Sequence, residues 1–364
     1  MLDVLSLDEL EPLARARLPQ MAYDYIAGGS DAEWTLCENS AAFNRLQLVP
    51  RILVDVAERQ LATTVLGTPV SMPILVAPMA FHGLAHTEGE LATARGAAAA
   101  GTIMIVSTAS NYSLEAIAGT GRAPRWFQLY VYRDRGLTRS LVRRAAAAGY
   151  DALCVTVDVP LIGRRRRDIR NEFTLPEGLQ LANFADTAAD DLPDAARESG
   201  LAAYVAAQWE PALTWRDIDW LRSLSPLPLV LKGIMSSEDA RLAVEHGASA
   251  IVVSNHGGRQ LDTAPATISV LPGIVEAVNG GIEVLLDGGI RRGTDVLKAL
   301  ALGARAVLIG RPVLWGLALD GEAGVRGVLD LLRAELDVAM ALVGCPSLKA
   351  VSSALIWRHP EAAP

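Results

Sequence analysis

The chain has 364 residues, of which 51% are hydrophobic and 20% charged, and its 41 acidic against 33 basic side chains leave a net charge of −8. That is ample apolar material for a large core, and the acidic balance argues against nucleic acid or an anionic membrane surface as a general partner. Three cysteines, Cys37, Cys154 and Cys345, are too few and too dispersed for a disulfide framework or a zinc site, so no metal is expected and a reducing cytoplasm fits best.

Residues 1–9 are acidic and lack the basic-then-apolar order of a secretory signal. The uncharged stretch over residues 96–114 contains Gly, Thr, Ser and Asn and reads as helix end, strand and loop rather than a membrane span. Residues 7–14 and 19–27 read as two short helices, the second stopped by Gly28-Gly29, with Tyr25 near the stop. A third helix runs to Asn44, and residues 50–53 read as an extended lead-in. These elements make up an N-terminal helical segment over residues 1–65.

From there to residue 345 the pattern is periodic: a short apolar run, a loop, then an Ala-, Leu- and Arg-rich helical stretch. The runs are residues 74–77, 103–106, 126–130, 152–157, 228–231, 250–253, 283–287 and 306–310. Helices are expected over 88–100, 137–148, 237–246 and 294–302, each closely followed by Gly. Eight strands alternating with helices define an α/β fold, the (β/α)8 TIM barrel, in one domain spanning 1–364. A doubly wound sheet is disfavoured because no G-x-G-x-x-G opens a helix. The connection after the fourth strand is far longer than the rest, and residues 168–211 of it read as a lid loop without a membrane anchor. Residues 346–364 form a C-terminal tail.

In such barrels chemistry sits where the strands end, so the residues just past each run are the ones to inspect. They are Ala77-Pro78-Met79-Ala80, Ser107, Gln128 with Tyr130, Thr156 with Asp158, Lys232-Gly233, Ser254-Asn255-His256, Asp287-Gly288-Gly289-Ile290-Arg291 and Gly310-Arg311. The last two groups suit a phosphate: glycines expose backbone N–H groups, the arginines add charge, and a helix N-terminus follows Gly293. Past the sixth strand comes Ser254-Asn255-His256-Gly257-Gly258-Arg259-Gln260-Leu261-Asp262. It joins a group able to move protons near neutral pH to a rigid cationic fork, with two glycines that would let a flat ligand approach. Lys232 could serve as a Schiff-base amine or as a cation beside a flavin ring. Its neutral neighbours Ser107, Gln128 and Thr156 suit the edge of a heteroaromatic ring and favour flavin.

The block Ser254 to Asp262, with Leu231-Lys232-Gly233 and Asp287-Gly288-Gly289-Ile290-Arg291-Arg292-Gly293-Thr294-Asp295, closely resembles the FMN-dependent 2-hydroxy-acid oxidase and dehydrogenase family, over residues 23–347. The resemblance implies His256 as active-site base paired with Asp158, Arg165 and Arg259 on the substrate carboxylate, and Tyr25 and Tyr130 hydrogen-bonding it. Arg165 is taken from the run Arg164 to Arg167 on this ground alone, since such a run is by composition a solvated face. FMN would be held by Ala77, Pro78, Met79, Ala80, Ser107, Gln128, Thr156, Lys232, Ser254, Asp287, Gly288, Gly289, Arg291, Gly310 and Arg311. A proton would leave either the hydroxyl, as hydride passes to the flavin, or the α-carbon. His82, His86, His246 and His359 are expected to be structural or superficial.

Departures from the family pattern narrow the expectation. Glycolate-type members carry Trp in the loop after strand two, where this chain has Thr108-Ala109-Ser110-Asn111-Tyr112, so the pocket should be larger. Phe81 and Met79 add apolar surface, which suits lactate, mandelate or a medium-chain analogue. Ala80, where dehydrogenases of the family often have Gly, favours an oxidase that passes electrons to O2 and forms H2O2. The alternatives are a dehydrogenase using a quinone or protein acceptor and, more remotely, a phosphate-binding barrel isomerase or Schiff-base lyase. The family resemblance also implies a homotetramer.

Overall fold

Along each apolar run, successive side chains sort into two buried sets, and this sorting is what a strand covered on both faces requires. Leu75, Ile105, Trp126, Cys154, Val230, Val252, Leu285 and Leu308 pack together inside a cylinder. Their alternates, among them Val76, Val106, Phe127, Val155, Leu231, Ile251, Leu286 and Val307, face outward into a second cluster with the helices. In the computed structural model, which describes residues 4–184 and 208–357, eight parallel strands form a closed barrel. These are β1 (Ile74–Val76), β2 (Met104–Val106), β3 (Arg125–Leu129), β4 (Ala152–Thr156), β5 (Leu229–Ile234), β6 (Ala250–Val253), β7 (Glu283–Asp287) and β8 (Ala306–Ile309). Closure comes from β8 beside β1, with Val307 opposite Ile74 and Ile309 opposite Val76. Every expected strand is present.

Ahead of the barrel come α1 (Leu10–Arg17), α2 (Gln20–Ala27) and α3 (Trp34–Asn44), as expected. The remaining helices are α4 (Gly89–Ala99), α5 (Leu114–Ala118), α6 (Arg135–Ala147), α7 (Arg166–Arg170), α8 (Trp215–Leu224), α9 (Ser237–Glu245), α10 (Thr267–Val278), α11 (Gly293–Ala301) and α12 (Arg311–Leu342), the last broken at Asp320 and Gly321. The stretch 50–53 forms no regular element.

Among the elements absent from the sequence reading is a hairpin. Thr63–Val65 and Thr68–Val70 pair as a hairpin whose Val65 and Val70 join the interior cluster, closing the barrel at the end away from the strand tips. Of the expected lid 168–211, residues 168–170 end α7, residues 185–207 lie outside the described residues, and Trp209 bridges to Tyr132. In the C-terminal tail, Ile356–Trp357 pairs with Gln47–Leu48, while residues 358–364, including His359, lie outside the described residues. No helix among the described residues is long and apolar enough to cross a membrane.

Candidate active site

The strand tips meet around a pocket of about 160 Å³. Tyr25, Ala77, Pro78, Met79, Ala80, Ser107, Gln128, Tyr130, Thr156, Arg165, Lys232, His256, Arg259, Asp287, Gly288, Gly289, Arg291, Gly310 and Arg311 all line it. Two of the expected residues do not. Ser254 lies underneath, where its Oγ accepts hydrogen bonds from Lys232 Nζ at 2.9 Å and from the His256 backbone N–H at 3.1 Å. Accepting these two bonds fixes two pocket residues and leaves the Ser254 O–H able to donate. Asp158 stands behind His256.

His256 Nδ1 lies 2.9 Å from Asp158 Oδ1, and a carboxylate can only accept there, so Nδ1 carries the proton and Nε2 is the ring's acceptor. Burial pushes the imidazole below its usual value; the Asp158 charge opposes this, and Lys232 and Arg165 add to the lowering. On Asp158 burial works upward, but His256 and Lys232 outweigh it and hold the carboxyl below the ordinary range. The pair therefore rests as carboxylate and neutral imidazole. Backbone geometry supports it: His256 takes φ +58°, an uncommon value for a residue with a side chain. Gly233, at φ +116° in the irregularity between β5 and β6, leaves room for Asp158, since a Cβ there would stand 2.5 Å from the Asp158 Cβ. Gln260 Nε2 donates to the Asp158 carbonyl at 2.9 Å, tying the end of β4 to the loop after β6.

Four guanidiniums reach the same pocket. Of the run Arg164 to Arg167, only Arg165 is buried; Arg166 is exposed and Arg167 pairs with Glu33. Gly163 makes this possible, since a Cβ there would stand 2.5 Å from the Arg259 carbonyl oxygen. Arg259 donates to the carbonyls of Tyr25 at 2.7 Å and Gly28 at 2.8 Å, and Arg311 to those of Ile26 at 3.0 Å and Gly28 at 2.9 Å. The free carbonyls at the C-terminus of α2 thus anchor two cations, as the helix dipole favours. Burial first, then Arg165, lowers Arg259 to about 10. Burial, Arg259 and Arg291 push Arg311 well below its usual value, and burial depresses Arg291 too. Buried like charges this close are costly without anions between them, and Asp168, itself pushed upward by burial, does not suffice.

At the barrel's centre Lys232 Nζ pairs with Asp287 at 3.1 Å, and Asp287 and Asp158 outweigh burial to raise it, so it stays an ammonium. Gln128 Nε2 donates to Thr156 Oγ1 at 3.0 Å, while its Oε1 accepts from the Thr108 backbone N–H at 3.1 Å. Together these groups form a polar edge of mixed donors and acceptors, which fits a heteroaromatic ring better than an imine.

The structure corrects two reasons given for the glycines. A Cβ on Gly289 would lie 2.1 Å from the Asn39 carbonyl oxygen, and one on Gly258 2.5 Å from the Leu36 nitrogen. The missing side chains of these glycines make room for α3, while Gly289 still lines the pocket with its backbone. The helix start at Gly293 is also already satisfied: Glu335 accepts from the Gly293 N–H at 2.7 Å, and Asp295 from those of Arg291 and Arg292 at 3.0 Å. Two carboxylates there would repel a phosphate, which leaves the turn Gly288 to Arg291 and the Gly310-Arg311 step as the anion cradle. Pocket residues that were missed include Ile26, Val159, Ile162, Trp209 and Leu314. Val159 and Ile162 follow β4 and could have been read from position, whereas nothing in the sequence marks Trp209. Of the other histidines, His82 is fully buried with Nδ1 2.9 Å from Thr93 Oγ1, and His246 pairs with Asp219 near the surface.

A closed parallel barrel whose mouth joins a neutral imidazole, a buried ammonium and four anion-seeking arginines defines a barrel enzyme acting on a small anion with an anionic cofactor. The chain belongs to the FMN-dependent dehydrogenase family, whose model matches residues 14–358. It is 60% identical to the L-lactate oxidase of Nostoc sp. over 97% of this chain and 98% of that one. It is 51% identical to the glycolate oxidase of Spinacia oleracea, over 99% and 98%. A crystal structure of mandelate oxidase with (S)-4-hydroxymandelic acid superimposes with a TM-score of 0.91 at 49% identity, covering 96% of this chain and 97% of that one. The cofactor is FMN, and the site fits it. Arg291 and Arg311 lack the anion their burial demands, Asp287 Oδ1 is buried without a hydrogen-bond partner, and the polar edge matches a ring bearing both donors and acceptors.

Proposed function

We propose that this protein is an FMN-dependent oxidase of L-2-hydroxy acids, lactate and larger homologues, yielding the 2-oxo acid and reducing O2 to H2O2. The observation that carries the reading is the neutral His256–Asp158 pair in one pocket with two buried arginines, Arg165 and Arg259, that share a single nearby carboxylate, Asp168, 4.0 Å from Arg165. Arg165 and Arg259 would grip the substrate carboxylate, and Tyr25 and Tyr130, kept protonated by burial, would donate to it. The α-carbon is thereby held while His256 Nε2 takes a proton from the substrate, and Asp158 stabilises the imidazolium that results. FMN supplies the two-electron acceptor and the route to oxygen, held by Ala77 to Ala80, Ser107, Gln128, Thr156, Lys232, Asp287 to Gly289, Arg291, Gly310 and Arg311. Ala80 lies on the pocket wall and its methyl supports the oxidase reading. The test is turnover in air on glycolate, lactate and mandelate with peroxide detection. Substrate bleaching of the yellow protein that only a quinone reverses would replace the oxidase with a dehydrogenase.

Ala109 lines the same pocket, and its smallness supports acids larger than glycolate. Ala109→Trp is expected to lower kcat/KM for mandelate about ten- to a hundredfold by overfilling the site, with a smaller loss for glycolate. Equal losses on both would show that the substrate side chain points elsewhere.

The depressed His256 value also sets a pH profile. The reaction needs neutral imidazole, so kcat/KM should be flat near neutrality and fall as pH drops through a midpoint below the ordinary 6.5. Asp158→Asn removes the charge that raises His256, so the acid limb should move to still lower pH while kcat falls. A limb that stays in place in that variant would belong to another group.

A further inference from the structure

A second cavity, of about 250 Å³, lies beside the catalytic pocket. The two share Tyr130, Thr156, Val159 and Trp209 as walls. Tyr130 and Trp209 are stacked, with ring centroids 3.7 Å apart and planes 20° apart, so this pair forms the partition. We propose that the second cavity is a side-chain subsite for 2-hydroxy monocarboxylic acids with straight alkyl chains, entered when the Trp209 indole turns off Tyr130. Trp209 then sets the chain length the enzyme accepts. The proposal rests on the hydroxy-acid reading above.

Three observations support it. The first is the way Trp209 is held. The Trp209 backbone is held on both sides, by Arg133 N–H donating to the Gln208 carbonyl at 3.0 Å and Glu210 N–H donating to the Val131 carbonyl at 3.0 Å. Its indole, in contrast, is 8% exposed, and its Nε1 is buried with no hydrogen-bond partner. Turning the indole would therefore break no side-chain hydrogen bond, only its stacking on Tyr130. The second is size: a cavity of about 150 Å³ holds a benzene ring, so this one can take several methylenes. The third is chemistry. Val157, Pro160, Leu213 and Ile218 make about half of its wall apolar, and the carboxyl groups there, Glu210 and Asp239, are both acids. A second carboxylate would be repelled, so the tail must be uncharged.

The test uses the FMN-loaded enzyme and compares kcat/KM for L-lactate, the L-2-hydroxy acids of six to eight carbons, and the eight-carbon 2-hydroxy diacid. In the wild type each added methylene of the monoacids should raise kcat/KM by about three- to fourfold, and the diacid should be poor. Leu213→Trp fills the cavity from its far wall and should lower kcat/KM for 2-hydroxyoctanoate about tenfold or more while leaving lactate nearly unchanged. Trp209→Ala should raise the octanoate-to-lactate ratio by a similar factor. Ile218→Phe serves in place of Leu213→Trp if that variant does not hold flavin. If the filled, yellow variant treats 2-hydroxyoctanoate as the wild type does, the tail does not lie there and the subsite is overturned. Lactate and octanoate slowed alike would also overturn it, since the cavity would then serve a step common to all substrates. A diacid used as well as the monoacid would overturn the uncharged-tail assignment. Lactate oxidised but no longer chain accepted would sink the subsite alone, whereas no hydroxy acid oxidised would sink the function beneath it.

Discussion

His256→Ala is expected to bind FMN and stay yellow yet lose about 10²- to 10⁴-fold in kcat, the range that a positioned general base contributes. Retention of flavin follows from the geometry. The ring's contacts are to Asp158 and, through the backbone, to Ser254, whereas the anion cradle stands on Gly288 to Arg291 and Gly310-Arg311. The loss should lie in kcat more than in KM, because Arg165 and Arg259 remain to grip the carboxylate. Rapid reduction of the bound flavin by substrate without oxygen reads the chemical step directly. A variant reduced at the wild-type rate would remove His256 from proton transfer and leave the role to another pocket group.

The second large effect is expected from Arg259→Leu. Removing one partner of a buried, hydrogen-bonded charge pair costs about 2–5 kcal/mol, or about thirtyfold to several thousandfold in kcat/KM. The loss should be specific to the charge: the wild type should strongly prefer lactate over its methyl ester, and the variant should lose most of that preference. Arg259→Lys should recover little, because a point charge cannot reproduce a fork that binds the Tyr25 and Gly28 carbonyls while reaching a ligand. An unchanged preference for the acid would place the substrate carboxylate elsewhere. Arg311 shares the Gly28 carbonyl, so α2 keeps one of its two guanidinium partners and the fold should persist.

Much of this site was legible because a barrel gathers residues that follow a simple rule. Every strand is short, apolar and bounded by a loop, and each tip points to one mouth, so reading the residue after each run finds Lys232, His256 and Asp287 without knowing any distance. The compact block from Ser254 to Asp262 helped for the same local reason. Where residues were misplaced, the cause was contact across the sequence. Gly258 and Gly289 look like ligand loops until α3 is seen against both, and Asn39 bonds Asn255 at 2.8 Å from 216 residues away. Trp209 carries no motif and reaches the pocket only by its bridge to Tyr132.

Strand periodicity and the chemistry at the strand tips belong to the sequence alone, because alternation and side-chain type are local properties that burial only reads out. Which of four consecutive arginines turns inward, which hydroxyl lines the pocket and which supports a lysine, and where a second cavity opens were decided by tertiary packing. Those choices depend on the carbonyls left free at the end of α2, on the space a glycine leaves for a distant helix, and on which side chains meet across the barrel mouth, none of which a residue carries by itself.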